Sequence, residues 1–585
     1  MPIPRPEYPR PLLKREAWLN LNGSWAFRAD PENLGLDQHW YQNSTFDEHI
    51  LVPYPVESEA SGIGRKENIS VVWYQREFRV PEGWKDRIWL HIGACDHWTR
   101  VFVNAQEVGQ HRGGYSPISF DITHALKTDP GASQSLTLRV QDSLSWSQPR
   151  GKQEGTTRWP VDYDAVTGIW QSVWLEPLPR VCIDSIHTEF RRHPSARLDL
   201  TLGLSSLFRG DIRVRLMQRG RVIVEGKLEI DQRVEARLSL EVPDARLWSP
   251  DDPFLYDLEL ELYQEDALLD GVQSYTGLRE ISVDDGQLRL NGEPLYLRGV
   301  LDQGYFPGGW YTALTDADLR RDVQLTLDMG FNCARKHQKA EDPRYLYWAD
   351  RLGLLVWSEM PSGRIFASEL VETLTTEWIA LMRRDRGHPC IMAWVPFNES
   401  WGVWNQPTRP AQRAFVDALT QLTRSLDTSR PVIGNDGWEF SSGDLWTLHL
   451  YDEPSTLAEH LDRLLEYPDD LVVDTPLFKR TGQLPGAKVQ GLPLLITECG
   501  GVGFVADAPV DAPFAYGERP DTIDALEARI RCTVNVLLEH PVPQGYVWTQ
   551  LTDVQQEING LLTFERTPKL EIEVLRSIFS RNPSA

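Results

Sequence analysis

Ile391-Met392-Ala393-Trp394-Val395-Pro396-Phe397-Asn398-Glu399 is an apolar run that stops abruptly at an amide and a carboxylate. Arg386-Gly387-His388-Pro389 precedes it and Ser400-Trp401-Gly402 follows. A short continuous apolar run between turn signals reads as a strand buried on both faces, the habit of a parallel sheet under helices. In a parallel barrel the C-terminal strand ends open onto the active site, so a carboxylate placed there has a task beyond packing. Leu492-Pro493-Leu494-Leu495-Ile496-Thr497-Glu498-Cys499-Gly500-Gly501 ends in the same way. Two carboxylates at one barrel mouth are the equipment for cleaving a glycosidic bond. For each glutamate the alternative is a loop cap or a salt bridge at the barrel mouth.

Working outward, residues 281–585 alternate strands with helices. Thr315 caps a helix with Asp318 three residues on, Leu319, Val323 and Leu327 share a face, and Gly330 ends it. Asp342-Pro343 opens the next helix and Gly353 closes it. Leu374, Trp378 and Leu381 mark a third, Phe415, Leu419, Leu422 and Leu426 a fourth, and Leu526, Ile530, Val534 and Leu537 another. Strands are expected at 296–300, 331–334, 354–357, 391–397, 431–435, 445–450, 493–497 and 545–551. Such a count predicts a C-terminal (β/α)8 TIM barrel.

Before the barrel the pattern is all β. Over 179–280, Leu198, Leu200, Leu202 and Leu204 alternate with polar or small residues, as do Ile212, Val214 and Leu216, Leu238, Leu240 and Val242, and Leu258, Leu260 and Leu262. Several short strands of period two predict an immunoglobulin-like β sandwich, a brace with no catalytic signature. Residues 1–178 carry runs such as Val71-Val72-Trp73-Tyr74 and Leu136-Thr137-Leu138-Arg139-Val140 between Pro, Gly and Asn clusters, which predicts a jelly-roll sandwich.

At 585 residues the chain is too long for one core. A formal charge of −24 argues against nucleic acid, whose phosphates require clustered Lys and Arg. Twenty-two Trp suit both cores and sugar faces, and most are expected in cores. Six scattered Cys without CxxC or Cys/His spacing predict reduced, buried thiols and no metal site. The first residues have no apolar core of a secretory signal and no window is apolar enough to span a membrane, so a cytoplasmic protein is expected. No cofactor is expected, and a homo-oligomer is compatible with the chain.

The motifs resemble glycoside hydrolase family 2, which holds β-galactosidases, β-glucuronidases and β-mannosidases. Arg386-Gly387-His388-Pro389 with Ala393-Trp394 and Asn398-Glu399 is similar to the family's acid/base signature, and Ile496-Thr497-Glu498-Cys499-Gly500-Gly501 to its nucleophile strand. Phe331-Asn332-Cys333-Ala334-Arg335 and Gly353-Leu354-Leu355-Val356-Trp357 resemble its second and third strands. Gly277-Leu278-Arg279-Glu280 with Leu297-Arg298-Gly299-Val300 resembles its entry into the barrel, and Asn22-Gly23-Ser24-Trp25 with Val173-Trp174-Leu175-Glu176-Pro177 the ends of its jelly roll.

The resemblance implies a retaining mechanism with Glu498 as nucleophile and Glu399 as acid/base. Glu399 should then be kept protonated by apolar neighbours such as Trp394 and Phe397 and by the second carboxylate. Asn398 is expected on the sugar 2-hydroxyl or in a turn. Arg335 either holds Glu498 ionised or lies at the surface. His449 and Tyr451 either donate to the nucleophile or sit half-buried beside the site. Trp548 is a sugar platform or a packed barrel residue, and Asp302 a sugar ligand or a turn cap.

Two departures bear on the sugar. Arg335 is followed by Lys336-His337-Gln338-Lys339, whereas family members commonly show a Ser-His pair. The Asn-x-Lys carboxylate clamp of the family's β-glucuronidases is missing near Glu557-Ile558-Asn559-Gly560, and Lys569 comes too late, leaving Lys336 or Lys339 as substitutes. The expectation is an exo-acting retaining β-glycosidase on a carbohydrate substrate, with a β-galactosidase ahead of a β-glucuronidase, β-galacturonidase or β-mannosidase. A catalytically silent carbohydrate-binding protein would lack one of the glutamates. A metal-dependent barrel hydrolase would need more than His337 and His449.

Overall fold

A computed structural model of the chain describes residues 2–43, 45–67, 69–129, 131–154, 159–466, 472–474, 479–505 and 513–583. The N-terminal part folds as two facing antiparallel sheets, one of six strands with Val71–Phe78 and Gln134–Gln141 at its centre, the other of four built on Arg87–Ile92 and Val173–Leu178. Their inner faces bury Trp25, Phe27, Tyr74, Leu90, Leu136 and Leu138 in one core, as alternation along half-buried strands requires.

The central sandwich departs from the expected row of short strands. Arg197–Gln218 and Arg221–Glu241 form one long antiparallel hairpin whose register shifts between Gly203 and Phe208. The bend divides its partners: Ile183–Arg191 pairs with the first half of Arg197–Gln218 and Tyr256–Gln264 with the second. Leu198, Leu200, Leu202, Ile212, Val214 and Leu216 stay on the buried face through the bend. A bulge shifts pairing locally without reversing the faces beyond it, which period-two reading alone does not show.

Among the described residues the C-terminal barrel carries seven parallel strands in the order Ile391–Val395, Leu355–Glu359, Cys333–Lys336, Leu297–Asp302, Pro543–Thr549, Leu494–Gly500 and Trp446–Leu450. Residues 431–435, expected as the eighth, lie between the two ends of this sheet without a regular ladder. Isolated parallel bridges join Trp394 to Val432 and Asn398 to Asp436, and the His449 N–H donates to the Gly437 carbonyl. Pro431 has no N–H to offer, and a Cβ on Gly434 would lie 2.2 Å from the Ser442 carbonyl oxygen. Close approach replaces the ladder here.

Helix ends follow local chemistry. Thr315 and Asp318 form the reciprocal capping box on Asp316–Asp328, and Asp342 caps Pro343–Leu352 with Gly353 in the left-handed conformation at its end. Five of the six cysteines are buried and free, whereas Cys532, expected to be buried, is exposed. Among the described residues no helix is long and apolar enough to cross a membrane.

The helix Ser368–Asp385 fastens the N-terminal sandwich to the barrel. Glu377 accepts from the backbone N–H groups of Gly114 (3.2 Å), Tyr115 (2.8 Å) and Ser116 (2.9 Å), and burial pushes its carboxyl up to about 7. Glu377→Ala strands three buried donors and is expected to destabilise the protein by about 3 kcal/mol. A urea titration measures this, and a midpoint matching the wild type would contradict it.

Candidate active site

Glu399 follows its strand by a turn that most residues avoid. Glu399 and Ser400 both have positive φ, 51° and 58°, in the region that glycine favours. Neighbours hold this strained turn in place. The Glu399 N–H donates to the Asp436 carbonyl (2.9 Å), the Ser400 N–H to Asn435 Oδ1 (2.9 Å), and Ser400 Oγ to Glu439 (2.6 Å). The result turns the Glu399 side chain across the barrel mouth toward His449 and Glu498.

One carboxylate oxygen of Glu399, one of Glu498 and one ring nitrogen of His449 all lie within 4.8 Å of one another. His449 Nδ1 is 2.8 Å from Glu399 Oε1 and 3.5 Å from Glu498 Oε2, and its Nε2 is 3.0 Å from Asp436 Oδ2. Both ring nitrogens therefore face carboxylates, the arrangement of an imidazolium donating on each side.

Arg335 organises the floor. It is fully buried and donates to Glu498 Oε1 (3.0 Å), Glu359 Oε2 (2.9 Å), Asn398 Oδ1 (2.6 Å) and the Thr497 carbonyl (3.0 Å), with Asp436 Oδ2 at 2.7 Å. Burial would lower its value, but Asp436, Glu359 and Glu498 raise it above the ordinary arginine range. Tyr451 Oη donates to Glu498 Oε2 at 2.5 Å. Because arginine can only donate, Asn398 must turn its oxygen toward Arg335, which leaves its Nδ2 as a buried donor with no partner among the described residues.

The electrostatics correct one expectation. Trp394 gives its Nε1 hydrogen to Asp427 (2.9 Å) and Phe397 packs on Phe415, while charged neighbours govern the Glu399 carboxyl. Burial pushes Glu399 up, but the hydrogen bond and charge of His449, with the charges of Lys152 and His337, hold it below the usual range. Glu498 is raised by burial and by Glu399, against the pull of His449 and Arg335. Burial alone would also depress His449, yet Glu498 and Asp436 lift it from 6.5 to about 10. In the free site the mobile proton thus rests on His449, hydrogen-bonded to Glu399. A value raised on folding stabilises fully below the unfolded value near 6.5 and is lost as pH climbs through about 10. His449→Gln is therefore expected to flatten the decline in thermal midpoint between about pH 7 and 10. Parallel calorimetric curves for the two proteins would refute this.

The other expected residues divide. Asp302 is buried, 2.7 Å from Lys336 Nζ, and accepts from the Gly304 N–H. Trp548, expected as a sugar platform, is 1% exposed in the apolar layer outside the barrel, 5.5 Å from the Phe579 ring. Its neighbour Val547 joins the other core cluster and Thr549 reaches Tyr451, so strand alternation turns Trp548 away from the mouth. Nor are Lys336 and Lys339 free for a substrate carboxylate. Lys336 binds Asp302 and Glu341, and Lys339 binds Glu341 and the carbonyls of Gly304 and Tyr311. Lys569 is held by Asp553 and the Ile558 carbonyl.

Sequence reading missed Glu359, Asp436, Trp401 and the whole contribution of the N-terminal sandwich. Glu359 is the last residue of Leu355–Glu359 and Glu498 lies near the end of Leu494–Gly500, so the same criterion reaches it. Asp436 ends an irregular strand and gave a weaker signal. Trp401 donates to Glu399 Oε2 at 3.2 Å. From the sandwich, Tyr163 hydrogen-bonds Glu557 and Asp162 pairs with Arg364 at the barrel mouth, contacts that no local pattern announces.

Family models match most of the chain. Residues 19–179 match "Glycosyl hydrolases family 2, sugar binding domain", residues 186–279 "Glycosyl hydrolases family 2", and residues 281–472 "Glycosyl hydrolases family 2, TIM barrel domain". The β-galactosidase of Thermoanaerobacter pseudethanolicus is 28% identical over 433 residues, 71% of this chain, which spans only 53% of that relative. The β-glucuronidase of Felis catus is 28% identical, covering 74% of this chain and 71% of its own. The β-glucuronidase of Paenibacillus borealis is 26% identical over 97% of this chain and 98% of its own. In structure, the Ruminococcus gnavus β-glucuronidase in complex with C6-substituted uronic isofagomine superposes with a TM-score of 0.81 at 20% identity, over 99% of this chain and 100% of that one, a likeness of fold.

Proposed function

The chain belongs to glycoside hydrolase family 2, and from that premise we propose that it removes terminal β-linked sugars by double displacement, with Glu498 as nucleophile and Glu399 as acid/base. The observation that carries this reading is the approach of the two carboxylates within 4.8 Å, the narrow separation of retaining enzymes rather than the wider gap that admits a water.

The roles follow from the contacts. Arg335 and Tyr451 stabilise the ionised form of Glu498 and orient it for attack on the anomeric carbon. The glycosidic C–O bond breaks as the new ester C–O bond forms, and the leaving oxygen takes a proton from Glu399. That proton comes from His449, which hands it to Glu399 along their 2.8 Å hydrogen bond as the leaving oxygen draws it away, so Glu399 is left ionised and His449 neutral. Once Glu498 is an ester its charge is gone, and Glu399 draws a proton from the water that cleaves the ester. The free amide of Asn398 is the donor for the sugar 2-hydroxyl, a contact that strengthens as the ring gains oxocarbenium character.

For the sugar, a β-glucuronide is the better supported substrate. The P. borealis relative, matched along nearly its whole length, bears that name, whereas the β-galactosidase is matched over about half of its own. A β-galactoside, first in the sequence reading, is the second choice. Aryl β-glucuronide, galacturonide, galactoside, glucoside and mannoside compared by kcat/KM decide between them. The glucuronide is expected to lead, and a galactoside leading by tenfold or more would reverse the order.

A further inference from the structure

We propose that Lys152, contributed by the N-terminal sandwich, binds the carboxylate of a uronic acid in the barrel mouth and so sets the enzyme's choice of sugar. The inference rests on the glycosidase reading above and names the residue that selects its substrate.

Lys152 is 6% exposed, yet among the described residues its ammonium makes no ion pair and no hydrogen bond. The other lysines around the mouth are all neutralised, Lys336 and Lys339 by Asp302 and Glu341, Lys569 by Asp553. The side chain is largely buried, and its charge has no protein anion among the described residues to neutralise it, so an anionic ligand finds it uncommitted. Its Nζ stands 5.1 Å from the ring centroid of Trp401, whose Nε1 donates to the acid/base Glu399. That contact sets it beside the catalytic group, and its charge acts on Glu399, His337 and Glu557.

The backbone around Lys152 is built to hold it there. The N–H groups of Arg150 and Gly151 both donate to the Ser362 carbonyl at 3.1 Å, and the Lys152 carbonyl accepts from the Tyr163 N–H at 2.9 Å. Gly151 has φ +57°, and a Cβ there would lie 2.2 Å from the Gln338 carbonyl oxygen. Only glycine lets the sandwich approach the barrel this closely. On the far side Gln153 Nε2 donates to Asp96 (2.8 Å) and Tyr115 (3.0 Å). A lysine fixed by its backbone, with its charge unspent, is preorganised for an anion.

The need for such a group follows from the charge of the site. Glu399, Glu498, Glu359, Asp436 and Glu557 crowd the mouth, and Arg335 and His449 are already committed to four of them. A uronate entering this field is repelled unless a further cation meets it. A neutral hexose needs no such cation. Lys152 is the remaining positive group among the described residues there, and it arrives from a different domain than the barrel-borne clamp absent from this sequence.

The test compares wild type, Lys152→Met (nearly isosteric, uncharged) and Lys152→Arg on 4-nitrophenyl β-D-glucuronide, β-D-galacturonide, β-D-glucoside and β-D-galactoside. In Lys152→Met the ratio of kcat/KM for uronide over the matching neutral glycoside is expected to fall about 30-fold, chiefly through KM, as loss of one charged hydrogen-bond pair implies. Inhibition by D-glucaro-1,5-lactone should weaken by a similar factor relative to D-glucono-1,5-lactone. Lys152→Arg should recover part of the ratio. An unchanged ratio, or equal losses on charged and neutral sugars, overturns the proposal and leaves Lys152 as a structural or Glu399-tuning group. A wild-type enzyme that cleaves only neutral glycosides also overturns it while leaving the glycosidase reading intact. That reading fails separately, if Glu498→Gly keeps its turnover.

Discussion

Glu498→Gly is expected to lose about ten-thousand-fold or more of kcat/KM on aryl β-glycosides, since no other side chain can form the glycosyl ester. Arg335, His449 and Tyr451 remain to shape the vacated space, which admits a small anion. Azide added to this variant should attack the anomeric carbon from the same face and yield the glycosyl azide of inverted anomeric configuration. Glu399→Ala is expected to lose about a hundred- to ten-thousand-fold on poor leaving groups. The loss should shrink on dinitrophenyl glycosides, whose leaving oxygen needs no proton. Here azide intercepts the ester on Glu498 and gives the azide of retained configuration. Near-normal turnover by either variant, or exchanged azide stereochemistry, would end the assignment of the two roles.

Arg335→Met carries the second large effect, and it falls on stability as well as rate. The guanidinium, 0% exposed, faces Glu359, Asp436 and Glu498 at 2.9, 2.7 and 3.0 Å. Removing it strands buried carboxylates that only His449 and a few neutral donors then face, a defect of about 3–5 kcal/mol. Those carboxyls will take up protons rather than stay charged in a dry site. Arg335 is one of the groups drawing Glu498 down against burial, so its loss raises Glu498 further. The acid limb of kcat/KM, which follows ionised Glu498, should therefore move to higher pH. Arg335→Lys keeps one charge but not a planar fork reaching several acceptors, and it should recover stability only in part. Chemical unfolding measures the first effect and the pH profile the second. An unfolding midpoint like that of the wild type would show that the guanidinium does not hold the floor.

Much of the barrel was legible because its signals are local. The capping box at Thr315, the Asp342-Pro343 helix start and the left-handed Gly353 are written within a few residues of each other, and all three stand as read. The irregular strand 431–435 was legible only as an apolar run. Its lost ladder depends on the Ser442 carbonyl lying against Gly434, a contact across a turn. Trp548 shows a different limit. In a strand apolar on both faces no alternation marks inside from outside, so its direction could not be read until the register with Leu494–Gly500 placed Thr549 at the mouth.

By itself the sequence determined the class of fold and marked two strand-end glutamates as candidates, because burial period and strand-end position are properties of contiguous residues. The tertiary structure alone decided what surrounds that pair: the imidazolium of His449 between two carboxylates, Arg335 among three acids, and Lys152 brought from another domain to the Trp401 ring. These meetings join residues from separate strands and domains. They are set by strand register and domain docking, for which the chain carries no local mark.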